Sequence, residues 1–171
     1  MIQSAFNTMF VLWMVLIIHE LGHAMVAVAF GRKVTEFVIG AHGPKLFKRK
    51  IKDLGIVVGW FPLGGHVIYR HSLDWRVNAA VMLAGPFANI LSALLVVGAL
   101  IFSNPSTDFQ TWGPFYVIYS LIIGIKNLLP SIEGSDGDQA LRCFKRHVRK
   151  VWEFKEFVIA MAYHENGDKH A

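Results

Sequence analysis

Residues 5–30 narrow what this chain can fold into more than any other stretch. Ala5 to Ile18 carries no charged residue, and Ala24 to Phe30 is again apolar. A helix over the whole stretch is long enough to cross a bilayer, whose hydrocarbon core is about 30 Å thick. Yet its middle reads His19-Glu20-Leu21-Gly22-His23. Ionisable groups at such depth are costly, and function is their default reading. The spacing i, i+4 sets His19 and His23 on one helical face, within reach of one metal ion. Glu20 stands close enough to take a proton from water at that metal. Ala5 to Ile18 rises about 20 Å as a helix, so His19 is expected inside the bilayer, past its midplane counted from the N-terminus.

The composition agrees with a membrane setting. The chain is 54% hydrophobic and only 17% charged, against about 25% charge in ordinary soluble domains. Its 171 residues fit one domain, 1–171. The net charge of +5 comes largely from two basic blocks beside apolar spans. Residues 31–76 hold nine Lys or Arg against three acids, and 142–150 is the second block. That placement points to anionic lipid headgroups rather than nucleic acid. Cys143 is the lone cysteine, which excludes an internal disulfide. The first 18 residues contain no Lys or Arg, so no positive n-region of a secretory leader is expected.

Periodicity and turn residues predict an α-helical membrane protein with three core transmembrane helices, over about 5–30, 77–102 and 112–129. Between the first two, Val34 to Ile39 and Ile56 to Trp60 are β-rich and punctuated by Gly40, Gly43-Pro44 and Gly64-Gly65. They predict a small antiparallel sheet or hairpin at the membrane face, dipping in through Trp60-Phe61-Pro62-Leu63. The second span holds Ala84-Gly85-Pro86-Phe87-Ala88-Asn89, where Asn89 either bonds a neighbouring helix or faces the metal cavity. From about 136 to 163 a charge-interrupted pattern predicts an interfacial amphipathic helix. The positive-inside rule sets the N-terminus outside, the C-terminus in the cytoplasm and the metal site in the cytoplasmic half of the bilayer. Of the remaining histidines, His42 and His71 are expected in water or among headgroups, and His147, His164 and His170 on the surface.

Several motifs together resemble the site-2 protease family of intramembrane zinc metalloproteases. They are His19-Glu20-Leu21-Gly22-His23, Phe61-Pro62-Leu63-Gly64-Gly65-His66-Val67, Ala84-Gly85-Pro86-Phe87-Ala88-Asn89, and Asn127-Leu128-Leu129-Pro130 followed by Asp136-Gly137. The resemblance covers about residues 10–142, in the family's motif order. Two departures stand out: His66 occupies a place where Tyr is commoner, and Ser131 to Ser135 is less apolar and differently spaced. The resemblance implies one Zn²⁺ held by His19, His23 and Asp136, with Glu20 as catalytic base. It implies substrate contacts from Asn89, Gly64, Gly65 and His66. The implied substrates are single-span membrane proteins or remnants of signal peptides.

Asp136 is preferred as third ligand because it precedes Gly137, as the ligand does in the family motif. A helix starting here would also give Ser135 the N-cap and Asp138 the N3 position, which is favourable for an acid. Asp138 and Glu133 stay open as alternatives. Two other functions share some of these features: a catalytically silent membrane scaffold, which would be expected to lack Glu20 or a ligand, and a zinc or proton transporter, for which three spans are few.

Overall fold

The apolar N-terminal stretch forms one uninterrupted helix, α1 (Ile2–Ala29), that carries both histidines of the motif. The computed structural model describes the backbone of residues 2–41, 43–103 and 106–167, and side chains over 7–41, 43–103 and 106–157. His42, His164 and His170 lie outside the described side chains. Strands β1 (Val34–Ile39), β2 (Lys45–Ile51), β3 (Leu54–Gly59) and β4 (Gly65–Tyr69) follow, then helices α2 (Trp75–Phe102), α3 (Thr107–Leu128) and α4 (Asp136–Gly167).

The helices run past the apolar limits read from the sequence because polar caps extend them. Asp74 accepts from the Arg76 backbone N–H at the start of α2. Ser106 Oγ accepts from Phe109 N–H at the start of α3. Each supplies a partner for a helix-end donor that would otherwise have none. Two stretches, Asn7–Ala29 and Trp75–Phe102, are long and apolar enough to cross a membrane. α3 carries Asp108 in its first turn and Lys126 in its last.

The sheet is mixed, not the antiparallel hairpin expected. Its strand order is β2-β3-β1-β4, with β1 and β3 parallel and the other two pairings antiparallel. The basic stretch Lys45–Ile51, which lies between the two β-rich runs, is itself strand β2, exposed at every residue. It folds back on β3 through a turn at Lys52, which adopts a positive φ of 54°. The β2–β3 hairpin then delivers β3 alongside β1 in the same direction. Alternating apolar residues cannot distinguish these pairings, since parallel and antiparallel strands share the same two-residue period. Buried Val38, Ile39 and Val57 anchor the central pair.

The helices are inside out by the standards of a soluble protein. Phe10, Met25 and Val28 on α1, Phe87, Leu91, Leu94 and Leu95 on α2, and Phe115, Ile118, Ile122 and Ile125 on α3 are all exposed. His19, Glu20, His23, Asn89 and Ser120 are buried. Apolar surface on this scale belongs against lipid, where contact between helices must come from close packing and polar contacts. Gly22 provides that closeness between α1 and α2: a Cβ there would lie 2.6 Å from the Ala84 carbonyl oxygen and 2.7 Å from Ala88 Cβ. α3 packs on α2 through Gly124, against the Pro86 carbonyl, and through a hydrogen bond from Tyr116 to Ser92 at 2.8 Å. α4 packs on the start of α2, where Trp75 meets Phe144 edge-on and His147 stacks on the same ring. α4 therefore has a partner helix on one side, beyond the interfacial position read from its charge pattern.

Gly22→Val should force α1 and α2 apart. The expected loss is about 1–3 kcal/mol, the usual cost of overpacking, read as a lower unfolding midpoint in detergent. An unchanged midpoint would mean that this contact does not limit how closely the helices approach.

Candidate metal centre

One turn of α1 presents His19 and His23 toward the first turn of α4. His19 Nε2 lies 3.0 Å from Asp136 Oδ2, and His23 Nε2 lies 3.6 Å from the same oxygen. The two imidazoles meet edge-on, with ring centres 4.9 Å apart. Among the described residues, these three offer ligand atoms all within 4.8 Å of one another. Two neutral imidazoles and a carboxylate suit a tetrahedral ion with one position left open.

The donor set passes a stricter test at the outer nitrogens. A histidine that ligates through Nε2 must carry its proton on Nδ1 and needs an acceptor there. His23 Nδ1 lies 2.7 Å from the carbonyl oxygen of Val81 on α2. A carbonyl can only accept, so Nδ1 of His23 donates and its Nε2 lone pair faces the centre. Gly85, one turn along α2, makes room for that ring: a Cβ there would come within 2.3 Å of His23 Nε2. Gly85 of the second span thus serves the metal face directly.

Asp136 is held by the start of α4. Ser135 caps the helix, its Oγ accepting from Asp138 N–H at 3.1 Å and donating to the Leu129 carbonyl at 2.8 Å. Gly137 lets this turn press onto the end of α3, where a Cβ would fall 2.1 Å from the Leu128 carbonyl oxygen. Asp138 turns away from the centre. Its carboxylate accepts from Gly134 N–H at 2.9 Å and pairs with Arg142. Glu133 is exposed.

A cavity of about 290 Å³ opens beside the cluster. Glu20 lines it, is 4% exposed, and has one carboxylate oxygen, Oε2, buried without a hydrogen-bond partner. Gly64, Gly65 and His66 line it from the other side. Gly65 approaches Glu20 so closely that a Cβ would lie 2.6 Å from Oε1. Of the two places read for Asn89, the structure shows the bond to a neighbouring helix, and Asn89 is not among the residues lining the cavity. It is completely buried on α2, with its amide 3.1 Å from His19 Nδ1. Sequence reasoning missed Tyr69 and Gln139 on the cavity wall, and it quoted Asn127 only as part of a motif. No spacing rule links these residues to the histidines.

Comparison with known proteins adds a second line of observation. The sequence model described as peptidase family M50 matches residues 7–112. A protein of Chlamydia trachomatis named as a zinc metalloprotease is 31% identical over 156 aligned positions, covering 75% of this chain and 24% of its own length. Zinc metalloprotease Rip2 of Mycobacterium tuberculosis is 32% identical over 146 positions, covering 75% of this chain and 54% of Rip2. Metalloprotease MmpA of Caulobacter vibrioides is 25% identical over 190 positions, covering 91% of this chain and 46% of its own length. The chain thus spans from about a quarter to about half of the length of these relatives. Asp136 lies beyond the residues matched by the family, so its place at the centre comes from geometry.

Asp136→Asn should abolish metal retention after purification, because the amide replaces the anionic ligand. Asp138→Asn should retain the metal and lose about 1 kcal/mol of stability, the usual cost of a weakened helix start. Metal content of the two variants, measured by elemental analysis, decides this, and a metal-free Asp138→Asn would reverse the assignment.

Proposed function

The chain belongs to peptidase family M50, and from that premise we propose that it is a zinc-dependent endopeptidase cutting a peptide bond in or beside a membrane-spanning helix of another protein. The observation that carries this reading is the convergence of His19, His23 and Asp136 on one wall of a cavity that Glu20 also lines. The zinc metalloprotease names of the relatives support the choice of metal. Zinc bound there would supply a Lewis acid that polarises the scissile carbonyl and makes water nucleophilic near neutral pH.

The chain's own residues perform the proton transfers. Glu20 takes a proton from the attacking water and returns it to the leaving amine. Glu20 lines the cavity, and its Oε2 has no hydrogen-bond partner within the protein. Hydrogen-bond donors for the developing oxyanion must come from the cavity wall, where Asn127 and His66 stand, since Asn89 is turned inward.

A helical substrate hides its peptide groups and must unwind before cleavage. The sheet has one edge suited to receiving the extended segment. β2 closes one side with Lys45, Lys48, Arg49 and Lys50, charges that discourage strand addition. β4 closes the other, contains no Lys, Arg, Asp or Glu, and contributes Gly65, His66, Val67 and Tyr69 to the cavity wall. We assign strand addition on β4 as the way substrate is held. Single-span membrane proteins and signal-peptide remnants fit such a site, and the bilayer itself is the other partner.

In this reading α1, α2 and α3 are the three spans. Charge asymmetry orients the chain with the N-terminus outside, the basic sheet and α4 in the cytoplasm, and the zinc centre in the cytoplasmic half of the membrane. Reporter fusions test it: Lys50 and Lys155 should read cytoplasmic and Thr107 external. A cytoplasmic signal at Thr107 would break the three-span arrangement.

Glu20→Gln should retain zinc and lose cleavage by at least about 100-fold, the lower range for general-base removal. The assay co-expresses candidate single-span substrates with the native or variant protein and follows product on gels. Near-native cleavage by Glu20→Gln would rule out this mechanism.

A further inference from the structure

His19 and His23 both point Nε2 at Asp136, but their outer nitrogens meet different partners. Val81 offers His23 a backbone carbonyl, which leaves no choice of direction. Asn89 offers His19 a side-chain amide, which can present either its oxygen or its nitrogen. The amide nitrogen stands 3.1 Å from His19 Nδ1, while Asn89 Oδ1 is buried without any partner. Which end of the amide can face Nδ1 follows the His19 tautomer, and His19 Nε2 lies 3.0 Å from Asp136 Oδ2. A ligating Nε2 needs the proton on Nδ1, and Nδ1–H would then face a second donor.

We infer that Asn89 is a positioning residue for the metal centre, whose Oδ1 accepts from His19 Nδ1–H and so fixes the tautomer that ligates zinc. The amide oxygen and nitrogen are nearly equal in size, so either end fits the space beside Nδ1. The site is built to hold it. Asn89 is 0% exposed, and its backbone carbonyl accepts from Ser92 Oγ at 2.9 Å. Ser92 Oγ in turn accepts from Tyr116 Oη of α3 at 2.8 Å. Gly124 of α3 lies against Asn89 Cβ, where an added methyl would approach to 3.4 Å. Two helices thus pack around a side chain that is not among those lining the cavity. Outer partners of this kind raise the basicity of a metal-ligating histidine and fix its ring. The assignment gives the second-span asparagine a role apart from substrate contact.

The inference rests on the zinc reading, and its test separates the two. The protein in detergent micelles is loaded with zinc, and affinity is measured by competition with a chromophoric chelator for the native chain and for Asn89→Ala, Asn89→Leu and Asn89→Asp. If the native chain holds no zinc, the zinc reading itself fails. If it holds one equivalent, Asn89→Ala and Asn89→Leu should bind about 10- to 100-fold more weakly, the usual effect of losing an outer partner. Asn89→Asp, which can accept but not donate, should recover most of that loss. Native-like affinity in the Ala and Leu variants would overturn the positioning role. An Asp variant as weak as Ala would overturn the acceptor assignment, provided that its circular dichroism and elution profile remain native. Nitrogen-15 NMR of histidine-labelled, zinc-loaded native chain provides an independent reading that needs no variant at Asn89. His19 assigned by a His19→Gln control should show its proton on Nδ1, and a proton on Nε2 would overturn the inference whatever the variants do.

Discussion

The His19–Asp136 contact, 3.0 Å across a sequence separation of 117 positions, is the interaction on which the centre depends. α1 supplies two imidazoles by local spacing alone, but a third ligand on the same helix would need a face already taken. It must arrive from elsewhere, and at the membrane depth proposed for the centre a lone carboxylate is costly. The chain achieves this with a broken segment. α3 ends at Leu128, residues 129–135 form turns, and α4 begins at Asp136 itself. Irregular backbone at such depth is tolerated where protein buries it or where it lines a cavity. Here Ser135 meets both needs, tying the turn to Leu129 and capping the new helix.

Placing the carboxylate requires close backbones, and small residues supply them. Gly22 admits α2 beside the histidines, Gly85 admits the ring of His23, and Gly137 admits the end of α3 beneath Asp136. Each removes a methyl group that would collide with a carbonyl or an imidazole. In hydrocarbon there is no hydrophobic gain from bringing two helices together, so the fit itself must hold them. The metal face and the helix-packing face are therefore the same surface, and a change to either reaches the other.

In the proposed reading the sheet answers a separate problem, which is how to present a peptide to that surface. It has two edges of opposite character, one dense in lysine and arginine and one without charge beside the cavity. The basic edge also carries Leu46, Phe47 and Ile51, all exposed, which matches the border between headgroups and water. One small element thus resists unwanted pairing on one side and offers a free strand on the other.

How far the sequence reached follows from the range of each signal. The membrane helices, the shared face of His19 and His23 and the neighbouring Glu20 were legible because helical spacing operates within a single turn and hydropathy within a single window. The family motifs extended that reading to Asp136 and to Gly64, Gly65 and His66, while leaving Glu133 and Asp138 as rivals. Sheet topology was not legible, because β1 pairs with β3 in parallel only after a basic strand has folded outward, and strand period does not encode direction. The inward turn of Asn89 was not legible either, since a polar residue in an apolar span announces only that it needs a partner. By itself the sequence determined which elements form and which local groups could share a metal, because those depend on contacts a few residues apart. Only the tertiary structure decided which distant carboxylate completes the set, which edge stays free and which way Asn89 faces, because burial and hydrogen bonding between separate helices exist only once those helices have packed.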